Sequence, residues 1–186
     1  AGGLTSVRNI KQMIIASSVY EENGIELHLF GDFDDENYKR ECMKLSEWDK
    51  INYHGLKPAE EVYAFMQSCA LGLVLFKDIP NHAFAIPNKA YEYMASGIPL
   101  LMSELPFWKQ HFGEAAYFIN PENPSEIANK ILEIFSNYND AEKKGYSGTA
   151  IYSRIAPRKV ISSLGWDPAD SEGRYLQADF EKISVI

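Results

Sequence analysis

"ALGLVLFKDIPNHAFAIPNKAYEYMASGIPLLMS", residues 70–103, carries two continuous apolar runs, 70–76 and 98–103, separated by a stretch of helical spacing. An apolar run without alternation is buried on both faces, which is the condition of a strand inside a parallel sheet. The stretch between them opens at Pro87, carries Lys89 and Glu92, and breaks at Gly97-Ile98-Pro99. Proline suits a helix start, because its missing N–H would have had no helical partner. The segment therefore reads strand, helix, strand.

The same rhythm extends in both directions. Residues 9–22 have helical spacing and stop at Asn23-Gly24, after which "IELHLFG" (25–31) reads as a strand closed by glycine. "DDENYKRECMKLSEW" predicts a helix, "INYHG" a short strand, and "KPAEEVYAFMQSC" a helix with proline at its start and two glutamates in its first turn. Beyond the central segment, "AAYFI" predicts a strand and "NPSEIANKILEIFSNY" a helix. Alternation of this kind up to about residue 140 predicts an α/β fold with a Rossmann-like parallel sheet and helices on both faces.

Past residue 144 the pattern changes. "GTAIYSR", "KVISSLG", "GRYLQADF" and "KISVI" are short extended segments between turn residues, and they predict a small antiparallel β tail. Charge divides at the same place. Residues 141–186 hold seven Lys/Arg and six Asp/Glu, leaving 11 and 20 of the chain's 18 and 26 to residues 1–140. We read two regions, 1–140 and 141–186, with a junction near 138–145 where two unrelated fragments are joined.

The totals exclude several classes. A net charge of −8 argues against a general nucleic-acid binder. No apolar run reaches the roughly 20 residues of a membrane span. Cys42 and Cys69 stand apart, and no spacing with His28, His54, His82 or His111 resembles a zinc site, so no metal or other cofactor is expected. Two free thiols fit a reducing compartment, giving a cytoplasmic expectation, with membrane association conceivable only for a longer parent. The opening "AGGLTS" lacks methionine and reads as the start of a fragment.

In an open parallel sheet, ligands bind beyond the carboxyl ends of the strands, where helix N-termini offer unpaired N–H groups and partial positive charge. Lys89 would add a point charge to a diphosphate, and Glu92, on the same helix face, could accept both hydroxyls of a ribose. A Lys/Glu pair three residues apart is also an ordinary solvated surface pair, and spacing alone leaves both readings open.

"PNKAYEYMASGIPLL" (87–101) resembles the donor-site signature of the retaining GT-B glycosyltransferases related to glycogen and sucrose synthases, enzymes of bacterial capsule and lipopolysaccharide assembly. "GGLTSVRNIKQMI", "IELHLFGD", "INYHGLKPAEEVYAFMQSCALGLVLF" and "AAYFINPENPSEIANKILEIF" resemble the other landmarks of that family's C-terminal domain, in order. The resemblance implies that Glu92 binds ribose hydroxyls and that Arg8 faces the diphosphate. It implies too that the backbone of Pro87 and Asn88 approaches the phosphates, that His54, Gly55 and Leu56 border the base, and that Gly2 and Gly3 of the glycine-rich turn and Lys89 belong to the donor-binding residues. A nucleoside-diphosphate sugar would be the donor, without metal. The acceptor-binding N-terminal domain would be missing, leaving the chain inactive alone. Two departures stand out: Phe84 occupies the place of a glutamate frequent in the family, and Gly3 that of a second arginine.

The tail resembles something else. "KKGYSGTAIYSR" and "DSEGRYLQADFEKISVI" resemble the exonuclease III class of abasic-site DNA endonucleases, which implies that Tyr146 and Arg174 contact DNA. None of that family's catalytic positions falls within the stretch. Three readings follow: a glycosyltransferase donor-binding domain with a foreign tail, a DNA-repair nuclease fragment, and a Rossmann-like nucleotide-binding module without transferase activity. Coverage favours the first.

Overall fold

The computed structural model describes residues 2–142, the side chains as far as 136, together with 159–161, 177–179 and 184–185. The chain divides into two compact units, residues 1–133 and 134–186.

The first unit alternates as its apolar runs require. Helix α1 (Ile10–Glu21) leads to strand β1 (His28–Phe30), α2 (Glu36–Met43) to β2 (Asn52–Gly55), and α3 (Ala59–Met66) to β3 (Gly72–Val74). Then α4 (Asn88–Ala95) leads to β4 (Leu100–Ser103), α5 (Pro106–Phe112) to β5 (Tyr117–Ile119), and α6 (Pro124–Glu142) follows. Local chemistry explains several ends. Asp35 caps α2 by accepting from the Asn37 N–H at 2.7 Å, which satisfies one of the donors every helix start leaves unpaired. Pro106 opens α5, a helix the periodicity of "LPFWKQHF" did not announce.

Strands came out shorter than their apolar runs. In "IELHLFG" only His28–Phe30 is strand, because the Ile25 N–H closes the end of α1 on the Tyr20 carbonyl at 3.2 Å. The helix expected over "DDENYKRECMKLSEW" stops at Met43, where the Lys44 and Leu45 N–H groups turn to carbonyls three residues back; Trp48–Lys50 forms a separate 3-10 turn. Pro87 precedes the first helical residue, Asn88, rather than lying within the first turn.

All pairing in this unit is parallel: β1 with β2, and β3 with β4 with β5. The N-terminal segment lies along the free edge of β1. The Gly2 N–H reaches the Phe30 carbonyl at 2.9 Å, the Leu4 N–H reaches Asp32 at 2.8 Å, and Leu4 bridges Phe33 in parallel. Further along, the Lys77 N–H, just past β3, donates to the Val7 carbonyl at 2.8 Å. The strands thus form two parallel sheets, β1 with β2 and β3 with β4 and β5, and this bond ties the turn that precedes α1 to the chain just past β3. Parallel strands joined through helices make this a Rossmann-like α/β unit.

The core gathers under β3 and β4. All four residues of β4 are buried, and Trp108, 0% exposed, donates its indole N–H to the Ala85 carbonyl at 2.7 Å. That bond anchors the loop that delivers α4 to the strand ends. Burial pushes the Tyr93 phenol well above its usual range, where α4 packs on this core.

In the second unit β6 (Lys159–Ile161), β7 (Gln177–Asp179) and β8 (Ser184–Val185) pair antiparallel in chain order. The expected "GTAIYSR" strand, Tyr146 and Arg174 lie outside the described residues.

Candidate functional site

Just past β1, at the end of β2 and at the start of the N-terminal segment, three glycines lie side by side. The Gly31 N–H donates to the Gly55 carbonyl at 2.8 Å, and Gly31 sits so close to Gly2 that a Cβ on Gly31 would overlap the Gly2 carbonyl. Gly31 has φ 126°, a conformation other residues rarely adopt, so both geometry and space demand glycine there. The outcome is bare backbone at the strand ends, where a ligand can approach closely.

Two cations flank this row. Arg8 donates from Nη1 to the Gly3 carbonyl at 3.0 Å, and its guanidinium lies 5.1 Å above the Phe76 ring. A Cβ on Gly2 would stand 2.8 Å from Arg8 Nη1 and 3.8 Å from Lys89 Cε, so both side chains reach the same glycine. Gly2, Gly3, Arg8 and Lys89 are therefore brought together from sequence positions far apart. Lys89 is also ion-paired with Glu92, each side chain half-buried, and its ammonium lies 5.8 Å over the Tyr63 ring. The pair is thus more than a solvated surface contact, because it joins the glycine row on one side and α3 on the other. Asn88 starts α4 with no side chain capping its N-terminus, and the Ala90 N–H turns back to the Pro87 carbonyl at 3.0 Å. That leaves the first backbone donors of α4 beside the cations.

His54, Gly55 and Leu56 border the other end of the row, at the end of β2. Leu56 is 75% exposed, whereas His54 stacks on Phe30 at 4.1 Å. Burial first, then His28 and Lys57, hold the His54 imidazole below its usual range. Phe84 is 81% exposed on the loop before α4, its ring 5.9 Å from Phe107. Tyr146 and Arg174 fall outside the described residues. Sequence reasoning missed Gly31, Phe76 and Tyr63, which frame the site. Only Gly31 had left a signal, as the glycine ending "IELHLFG". Among the described residues no group of three or more His, Cys, Asp or Glu is placed to hold a metal, and no helix is long and apolar enough to cross a membrane.

Known proteins share this fold. The family model of the glycosyl transferases group 1 matches residues 4–137. The fold is similar to the C-terminal domain of a glycosyl transferase group 1 family protein (LpcC) from Francisella tularensis. There the TM-score is 0.62 at 18% identity, covering 75% of this chain and 74% of that one. It is similar also to the catalytic domain of cholesterol-alpha-glucosyltransferase from Helicobacter pylori, with a TM-score of 0.58 at 18% identity over 78% of this chain and 93% of that one. HepE from Anabaena, solved in complex with UDP, gives a TM-score of 0.56 at 16% identity over 76% of this chain and 39% of that one. A different match is short: 45% identity over 49 residues to an exodeoxyribonuclease of Bacillus subtilis, 26% of this chain. The chain spans 19% of the length of that curated relative. With its parallel sheets, its helices and a family match running from Leu4 almost to the end of α6, the chain belongs to the glycosyl transferases group 1 family.

Proposed function

We propose that residues 1–140 bind the nucleoside-diphosphate part of a sugar nucleotide, as the donor-binding half of a glycosyltransferase of bacterial polysaccharide, capsule or lipopolysaccharide synthesis. One observation carries the reading: Gly2 and Gly31 present backbone at the strand ends, and Arg8 and Lys89 both reach that backbone. Phosphate oxygens accept from backbone N–H groups and from both cations, so a diphosphate seated on the row needs no metal. Glu92 then shares its carboxylate between Lys89 and the ribose diol, and His54, Gly55 and Leu56 border the base.

The test is calorimetric titration with UDP, GDP and ADP in metal-free buffer, with pyrophosphate as the ligand lacking a ribose. Weak binding of at least one nucleotide is expected. Glu92→Ala should weaken nucleotide binding by about 1–3 kcal/mol, the scale of lost hydrogen bonds to a charged group, and leave pyrophosphate binding undiminished. If the variant binds nucleotide as tightly as the parent, the ribose assignment fails.

Turnover needs a second wall. Transfer in a two-domain cleft depends on excluding water and orienting the acceptor, worth several kcal/mol of barrier. The chain spans only 39% of HepE. We expect no sugar transfer from this chain alone, and radiolabelled product from any sugar nucleotide and lipid acceptor would overturn that.

The 49-residue match favours a second reading, a piece of a DNA-repair nuclease. Magnesium-dependent cutting of abasic duplex DNA would promote it; we expect none, because such cleavage needs a carboxylate-held metal and a base.

A further inference from the structure

The register of β1 against β2 slips by one residue: His28 faces Asn52 and Leu29 faces Tyr53, but Phe30 faces Gly55. His54 is the residue passed over. A bulge re-aims the side chain it carries, and here it lays the His54 ring flat on Phe30 and parallel to His28, centroids 5.3 Å apart. Phe65 of α3 lies against all three rings. The imidazoles are also in line for a hydrogen bond, His28 Nδ1 standing 3.0 Å from His54 Nε2. On its far side His28 Nε2 lies 3.1 Å from the Glu26 carboxylate, which also accepts from Asn52 Nδ2 at 3.2 Å.

The chain of contacts fixes where protons sit. A carboxylate only accepts, so His28 Nε2 carries the hydrogen. In a neutral ring that leaves His28 Nδ1 as a lone pair, so the hydrogen between the rings belongs to His54 Nε2. Neutral His54 is then bare at Nδ1, and among the described residues nothing hydrogen-bonds that atom. Uptake of one proton reverses the pattern. His28 becomes a donor at both nitrogens, His54 Nε2 turns acceptor, and the hydrogen of His54 moves to Nδ1. The acceptor has become a donor.

We propose that Glu26 and His28 act as a tautomer lock, presenting His54 Nδ1 as a hydrogen-bond acceptor for an N–H of the nucleotide base and withdrawing it when the histidine pair takes up a proton. The proposal rests on the donor-binding reading above, with His54 beside Gly55 at the glycine row. Every charged group found facing the pair is named: Glu26 before β1, His28 on β1 and Lys57 after β2, while α3 contributes only the apolar Phe65. Burial, His28 and Lys57 all disfavour a charge on His54. His28 is a positioning residue, and His54 touches the ligand.

The experiment compares the parent with three variants for UDP affinity at about pH 8 and about pH 5.5, a window spanning the usual imidazole range. Comparison with variants at each pH cancels protonation of UDP itself. His28→Asn keeps an acceptor, Oδ1 in the place of Nδ1, for His54 Nε2–H but cannot titrate. It should bind within about twofold of the parent at the higher pH and lose the parent's extra fall, expected to be about fivefold, at the lower. Glu26→Gln, at an exposed position, should weaken binding about twofold to threefold by loosening the lock. His54→Phe should weaken it about tenfold at the higher pH and show no extra fall. Nitrogen-15 spectra of the imidazoles give the readout without ligand: His54 Nδ1 unprotonated at the higher pH supports the lock, and a protonated Nδ1 overturns it. Equal pH dependence in parent and His28→Asn, or parental affinity in His54→Phe, also overturns it while leaving nucleotide binding intact. Absence of UDP binding to the parent at either pH overturns the donor-binding reading and, with it, this role of His54.

Discussion

Strands β2 and β4 are both four residues long and both pair in parallel, yet they do opposite work. Every residue of β4 is buried, with β3 on one edge and β5 on the other. In β2 the first residue is exposed and the next three only half-buried, and among the described residues pairing runs to β1 alone. The apolar strand contributes stability through transfer of its side chains from water. The edge strand, with a bulge and a histidine, contributes shape to the proposed binding end. Stability and the proposed recognition therefore fall on separate sheets.

Breaking the buried side should have the largest effect. Leu101 is fully buried at the centre of β4, and Leu101→Ala should cost about 3 kcal/mol in denaturant unfolding, combining lost transfer energy with a cavity. A loss below about 1 kcal/mol would mean that the core collapses around the gap and that β4 is less decisive than its burial indicates. Next comes the recognition side. Gly31→Ala should cost about 2 kcal/mol, because its φ is strained for alanine and its Cβ meets the Gly2 carbonyl; UDP binding should fall further than stability does. Stability equal to the parent's would show that the N-terminal segment can yield.

A smaller effect tests the hinge between them. Asn9 is buried in the left-handed conformation, φ 51°, where the chain turns from the Arg8 segment into α1. Asparagine and glycine tolerate that conformation; alanine does not. Asn9→Ala should cost about 1 kcal/mol and Asn9→Gly close to nothing by thermal unfolding, and the reverse order would sink the argument.

The two regions were not equally legible from residues. The buried strands announced themselves, since "ALGLVLF" and "GIPLLMS" need both faces covered whatever their partners. Their lengths were overstated: an apolar run records burial, whereas a strand also needs a neighbour to bond. The quoted helix was read to within one residue, with Pro87 just outside it. Helix α5 was missed because "PFWKQHF" mixes aromatic and polar residues without a clear stripe, although Pro106 marked its start. At the proposed site, Lys89 and Glu92 were visible as neighbours on one helix. The contact of Gly31 with Gly2 and the alignment of His28 with His54 were not, since each depends on how separate strands come to register. A bulge has no signature in a single strand's sequence.

The glycine row would also govern how the proposed binding end can change over generations. Where Gly2 and Gly31 form the floor, there is no side chain to exchange, and a substitution at Gly31 meets backbone rather than a yielding partner. Heritable variation in ligand preference is thereby pushed to the rim, to exposed positions such as Leu56 and Phe84 that can be replaced at little cost to folding. A lineage carrying this floor keeps its grip on the invariant part of a ligand and diversifies only in the parts that differ from one ligand to the next.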